Sequence, residues 1–273
     1  MRKLNVCHCD ALAEAILKFG GYCERLDCFA LRARNDVRGF TLAEVLITLG
    51  IIGVVAALTM PPLIASHKKK ELESRFRRAQ ALIENALVTM RMDVGNIDEE
   101  YCGTTGKDKS DNIFIQDFAK YFQTTEVFPG STGNLDTIGY KIEHFSQSAP
   151  GNAYFNIDSH DDGAMFLNNG MMIASSGCWW RKTMVDFVVD TNGVKGPNKF
   201  GYDVFYFQID TDNRLAPSGT LGVFQGANLQ ACCNFQQENT CNVTVDTGCS
   251  CSSFAIMDEY PHDRSKRYWQ SLP

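Results

Sequence analysis

Hydrophobic and polar positions change their spacing twice along the 273-residue chain, and each regime predicts a different element. From Val45 to Ala65, 21 residues run without a formal charge. As a helix at ~1.5 Å per residue they reach about 31 Å, enough to cross a hydrocarbon core of roughly 30 Å. A secretory signal has a shorter apolar core, about 7–15 residues, so this run predicts a membrane segment that is kept. Glu44 stands at its front edge. An acid placed in a bilayer costs a few kcal/mol and marks function, so a plain anchor does not explain it. Gly50 and Gly53 allow close helix contact in lipid. Pro61 removes an intrahelical hydrogen bond and predicts a kink or a melted turn, which Pro62 reinforces.

From His67 the spacing becomes that of a half-buried helix, with Leu72, Phe76, Ala79, Ile83, Ala86, Leu87 and Met90 on one stripe. After Val94 Gly, Asn, Asp, Thr and Ser dominate, with aromatics between them. Asn112–Phe122 carries one more helical stripe. Short β-like runs follow: TIGYKIEHF, AYFNID, AMFLNNGMMIAS, MVDFVVD and DVFYFQI. Asn169-Gly170 between two apolar runs predicts a hairpin. The partial alternation of MVDFVVD and DVFYFQI predicts antiparallel strands with one face packed on the long helix. The predicted fold is α+β: a long N-terminal helix, membrane half 40–66 and amphipathic half 67–94, packed on an antiparallel sheet. The head would span 95–273 and carry a Cys-rich C-terminal loop.

A net charge of −6 argues against nucleic acid as a partner, since phosphate backbones need a basic surface. Residues 40–273 are the more acidic part, with 27 Asp/Glu against 19 Lys/Arg. Eleven cysteines are many for a cytosolic chain of this size. Four precede the apolar run, and the other seven are Cys102, Cys178, Cys232, Cys233, Cys241, Cys249 and Cys251. These seven are disulfide candidates, and the last five suggest a stapled extracytoplasmic loop. Zinc is the competing reading, but those five include no C-x-x-C pair and no histidine. The charges flanking the apolar run leave topology open, since His67-Lys68-Lys69-Lys70 and three arginines follow it and the cysteines favour the opposite side.

Gly39 followed by FTLAEVLITLGIIGVVAALTMP resembles the processing and assembly segment of type IV prepilins and type II secretion pseudopilins, over about 25 of the 273 residues. The resemblance implies a pilin-like fold and cleavage between Gly39 and Phe40 by a prepilin peptidase, which also methylates the new N-terminus. It implies that residues 1–39 are a cytoplasmic leader. Such leaders are short and basic, so residues 1–30 are expected to reflect a start assigned too far upstream, with initiation at Leu31. It further implies a single-pass protein of the inner membrane with an extracytoplasmic head, assembled with other pilin or pseudopilin subunits on an inner-membrane platform. The assembly residues would be Phe40, Glu44 and Pro61. Physically, a methylated ammonium at Phe40 buried among apolar helices needs a carboxylate, and Glu44 of a neighbour can supply it. Membrane lipid is the remaining expected partner.

In the head, Asp190, Asn192 and Asp203 bring hard oxygen groups to a Gly-rich loop, as calcium requires, and some pseudopilins resemble this. The plainer reading is a connecting turn built from Asn-Gly and Gly-Pro. No other cofactor is expected. Trp179-Trp180 suits an adhesive patch or core packing. No G-x-S-x-G, H-E-x-x-H or phosphate-binding loop occurs, His160-Asp161-Asp162-Gly163 reads first as a turn, and Ser175 and Ser176 have no identifiable base, so no enzyme is expected. Two classes remain: a polymerising filament subunit, or a membrane-tethered binding module that never polymerises. Glu44 distinguishes them, since a tether does not need it.

Overall fold

The computed structural model of this chain describes residues 40–102, 113–129, 140–143, 154–155, 163–177, 185–217, 233 and 251–273. Residues 1–39, the expected leader, together with Cys178, Cys232, Cys241 and Cys249, Trp179-Trp180 and His160 to Asp162, lie outside them. The chain divides after Val54 into two units, and the packing below belongs to the second, residues 55–273.

Helix α1 runs from Leu42 to Val94 without interruption. Of the kink or melted turn expected at Pro61 and Pro62, the melted turn is absent: both prolines lie inside the helix. Each removes one backbone donor, and the intact turns on either side carry the helix across, as is common in membrane helices. The helix stops at Gly95, whose φ of 82° is left-handed and ends the turn, with its N–H on Arg91 O at 2.9 Å.

The stripe anticipated on the second half of α1 is the buried one. Phe76, Ala79, Ile83, Ala86, Leu87 and Met90 are buried and Leu72 packs against them. They lie on an antiparallel sheet of six strands in the order β1 (Thr124–Pro129), β4 (Gly163–Leu167), β5 (Met172–Gly177), β6 (Asp186–Asp190), β7 (Val204–Ile209), β8 (Leu215–Pro217). β2 (Ile142–Glu143) and β3 (Tyr154–Phe155) form a separate pair. The Asn169-Gly170 turn joins β4 to β5, with Gly170 at φ 87°.

Phe76 is the joint between helix and sheet. Its ring lies 4.4 Å from Phe205, 6.1 Å from Phe207 and 5.2 Å from Trp269, centroid to centroid. Burying such a ring contributes about 1.5–3 kcal/mol. Short helices complete the head: α2 (Ile97–Tyr101), α3 (Phe114–Phe118), α4 (Cys251–Met257) and α5 (Tyr268–Ser271). The Cys233–Cys251 disulfide anchors the start of α4, and Cys102 is also disulfide-bonded.

One face of the central strands packs on α1, as expected, and the other face is covered as well. Every position of β6 and β7 is buried. Phe205 and Phe207 face Phe76, while Tyr206 and Gln208 on the opposite face are equally enclosed. VFYF is an apolar run with weak alternation, and such runs suit a strand covered on both sides.

Candidate functional site

The first site is the start of α1. Phe40 is 85% exposed, and Val45, Leu49, Ile52, Val55 and Leu58 continue an apolar surface that is open to the surroundings. Within that surface Glu44 is satisfied locally. Its Oε2 accepts from Thr41 N at 2.8 Å and from Thr41 Oγ1 at 2.9 Å, while Glu44 N donates to Thr41 Oγ1 at 3.2 Å. This is a capping box, and Thr41-x-x-Glu44 is its sequence signature, readable in advance although Thr41 was not singled out. α1 is also long and apolar enough to cross a membrane.

The second site is the loop from β6 to β7, where two of the three expected calcium ligands are fully buried carboxylates. Asp190 accepts from the backbone N–H groups of Asn192 at 2.9 Å and Gly193 at 2.8 Å, and from the Tyr140 hydroxyl. Asp203 accepts from Asn198 N at 2.9 Å and Lys199 N at 2.7 Å. Burial, with the Asp203 carboxylate second, pushes Asp190 well above the usual carboxylate range. Burial raises Asp203 to about 6 despite the backbone donors that oppose it. Asn192 closes the loop by donating from Nδ2 to the carbonyls of Lys195 and Gly196, and its Oδ1 is buried with no partner, as are Asn198 Oδ1 and Thr191 Oγ1. Gly193 has φ 64° where a Cβ would run into Gly170 O, so the loop is pressed against the β4–β5 turn and admits only glycine there.

The structure thus gathers Asp190, Asn192 and Asp203 into one buried oxygen-rich pocket. Buried carboxylates that repel each other next to an unsatisfied amide oxygen are what a hard cation would relieve. Among the described residues no group of three or more His, Cys, Asp or Glu side chains is placed to hold a metal, so the set would depend on Asn192 and backbone oxygens.

A third cluster was not anticipated. Asp98 of α2 and Asp186 of β6 are buried, each raised to about 7, chiefly by burial and then, after opposing hydrogen bonds, by neighbouring carboxylates: Asp210 at Asp98, and Asp98 at Asp186. Gln208, opposite Asp186 in the β6–β7 register, is fully buried. Asp98 Oδ1 and Asp186 Oδ1 lack a hydrogen-bond partner. Asp186 and Gln208 sit in runs read as apolar strands, and only the strand register shows that they meet.

The family model described as the prokaryotic N-terminal methylation motif matches residues 34–60. The chain is 28% identical over 137 residues to type II secretion system core protein G of Escherichia coli (strain K12), a match covering 50% of this chain and 83% of that protein. No solved structure matches the chain. The methylation segment, the long N-terminal helix on an antiparallel sheet and the relative together support a pilin or pseudopilin structural role.

Proposed function

We propose that the chain is a structural subunit of a type II secretion-like pseudopilus or a type IV pilus. A prepilin peptidase cuts between Gly39 and Phe40. The subunit then sits in the inner membrane as a single-pass protein with residues 95–273 outside, and an inner-membrane platform adds it to other subunits through residues 40–66. The observation that carries this reading is the open apolar surface from Phe40 to Ile64 with a single carboxylate, Glu44, at its start. A tether needs the apolar length but not the acid. The resemblance to the secretion protein favours the pseudopilus over the pilus. Incorporation of Glu44→Val subunits into sheared filaments or pseudopilus crosslinks tests it, and normal incorporation would leave the non-polymerising tether as the better account.

The β6–β7 loop is part of this proposal as a calcium site. Its support is the buried, mutually repelling pair Asp190 and Asp203 and the unsatisfied Asn192 Oδ1. The bound ion would supply the positive charge that the pocket lacks. The chain's own residues would hold the two carboxylates in place through the backbone N–H groups of Asn192, Gly193, Asn198 and Lys199. The loop would in this way be rigid when calcium is present and would keep the head surface in one shape for packing between subunits.

A further inference from the structure

A strongly basic surface lies where α1 leaves its uncharged run, beside the β6–β7 loop. A cavity of about 650 Å³ opens there between α1 and the loop after β6, lined by Ala65, Lys68, Lys69 and Arg75 of the helix and by Lys195 and Lys199 of the loop. A second cavity of about 680 Å³ shares Lys69 and adds Lys70, with Pro62 and Ala65 at its apolar edge. The first is walled by five basic side chains and one acidic one, Glu71, which is already paired with Arg75 at 2.6 Å. A carboxylate at Pro273 would still leave the cations in excess. Arg267, at the second cavity, is held by Glu73 and Asp258. Among the described residues, the side chains of Lys68, Lys70 and Lys195 make no ion pair or hydrogen bond, and Lys69 reaches only the Gln270 carbonyl, at 3.2 Å.

We propose that this paired crevice binds the phosphate headgroup of an anionic phospholipid, with the glycerol end toward Pro62 and Ala65 and the acyl chains along the apolar run. The inference rests on the reading that Val45–Ala65 lies in a membrane. Ala65 ends that run, and Lys68 to Lys70 follow within about 8 Å along the axis at ~1.5 Å per residue, which is headgroup depth on either side of the bilayer. Uncommitted lysines suit a phosphate as point charges on stems that can lie along apolar surface. A soluble acidic partner would match the charge but not the apolar edge at Pro62 and Ala65. A free phosphate would not need that edge either.

The test uses the full chain in detergent micelles, with retained lipid counted by native mass spectrometry during titration with short-chain phosphatidylglycerol, short-chain phosphatidylcholine or inorganic phosphate. Phosphatidylglycerol should be retained in preference to phosphatidylcholine. Each of Lys68→Gln, Lys70→Gln and Lys195→Gln should weaken retention about fivefold, the equivalent of about 1 kcal/mol per basic group. The matching Lys→Arg variants should retain it. Helix content and melting of the Gln variants, followed by circular dichroism, should match the parent, so that loss of lipid is not loss of fold. Equal retention of the two lipids, retention unaffected by the Gln substitutions, or displacement of phosphatidylglycerol by equimolar inorganic phosphate would overturn the proposal. A lysine-dependent crosslink between two copies in lipid-free micelles would overturn it in favour of a subunit contact. Membrane embedding is read separately by carbonate extraction of cells: an extractable chain undoes the membrane reading, while an embedded chain without lipid preference undoes only this inference.

Discussion

Thr41 and Glu44 close on each other at the start of α1, the threonine N–H and hydroxyl both donating to one oxygen of the glutamate at 2.8 and 2.9 Å. The carboxylate is therefore not left bare before assembly. In the free subunit it is satisfied by its own helix N-terminus, where the dipole also favours a negative charge. If the subunit polymerises as proposed, the same carboxylate would turn to a neighbouring ammonium, so two roles would share one side chain.

Substitution separates those roles. Glu44→Val removes the acid altogether and should give a cleaved, membrane-embedded subunit missing from sheared filaments, because breaking a buried ion pair costs on the order of 3–5 kcal/mol. Thr41→Val removes only part of the cap, at about 1 kcal/mol, and should still be incorporated. Equal loss in the two variants, measured by immunoblot of sheared fractions, would mean that the cap matters and the intersubunit pair does not.

Cleavage after Gly39 should leave Phe40 as the first residue, carrying an added methyl group, in mass spectra of protein taken from the envelope. A bulky side chain at position 39 should hold the chain as full-length precursor in the membrane. Detection of peptides spanning residues 31–39 in the mature subunit would exclude this site.

Calcium should stabilise the head in proportion to the repulsion between Asp190 and Asp203. Both carboxyls are raised above their unfolded values. Their protonated forms thus favour the fold; without metal the Asp203 contribution is present at low pH and lost as pH rises through about 6, and Asp190 adds a loss in the same direction. Thermal melts in chelator should fall between pH 5 and pH 7.5, and calcium at pH 7.5 should restore them by RT ln(1 + [Ca]/Kd), about 2.7 kcal/mol at a hundredfold excess over Kd. Asp190→Asn should abolish the calcium response. A calcium-independent melt of the parent at pH 7.5 would leave the loop as a connecting turn.

Asp98 and Asp186 give a second pH dependence that calcium does not touch. Each is raised to about 7 in the fold. The sign is the same: stability is present below the unfolded value near 4 and declines as pH rises through about 7. Asp186→Asn, close in shape and uncharged, should flatten the denaturant midpoint between pH 5 and pH 8 with saturating calcium present. An unchanged slope would mean that the two carboxyls are solvated in solution.

Much of this protein was legible in order along the chain. The uncharged run from Val45 to Ala65 and the stripe from Leu72 to Met90 are periodic signals, and a helix turns periodicity directly into a face. The β4–β5 hairpin was readable because Asn169-Gly170 supplies the positive φ that the turn needs. Glu44 stood out for chemical reasons alone, an acid at the edge of an apolar run. Other features were not periodic. β8, with three residues, and α5, with four, are too short to leave a pattern, and α5 is held by contacts such as Tyr268 Oη to Gly201 O at 2.6 Å across 67 residues. The continuity of α1 through Pro61 and Pro62 depended on whether the neighbouring turns could carry two missing hydrogen bonds, which local propensity does not report.

The sequence by itself determined the N-terminal segment and its stripe, because both depend on neighbours three or four residues away on one helix. Tertiary structure alone decided which charges share an environment. Asp98 meets Asp186 from 88 positions away, Lys68 meets Lys199 across one crevice, and Asp190 meets Asp203 beneath a turn held by Gly193. Electrostatic energy depends on distance and burial in space, and neither is encoded in separation along the chain.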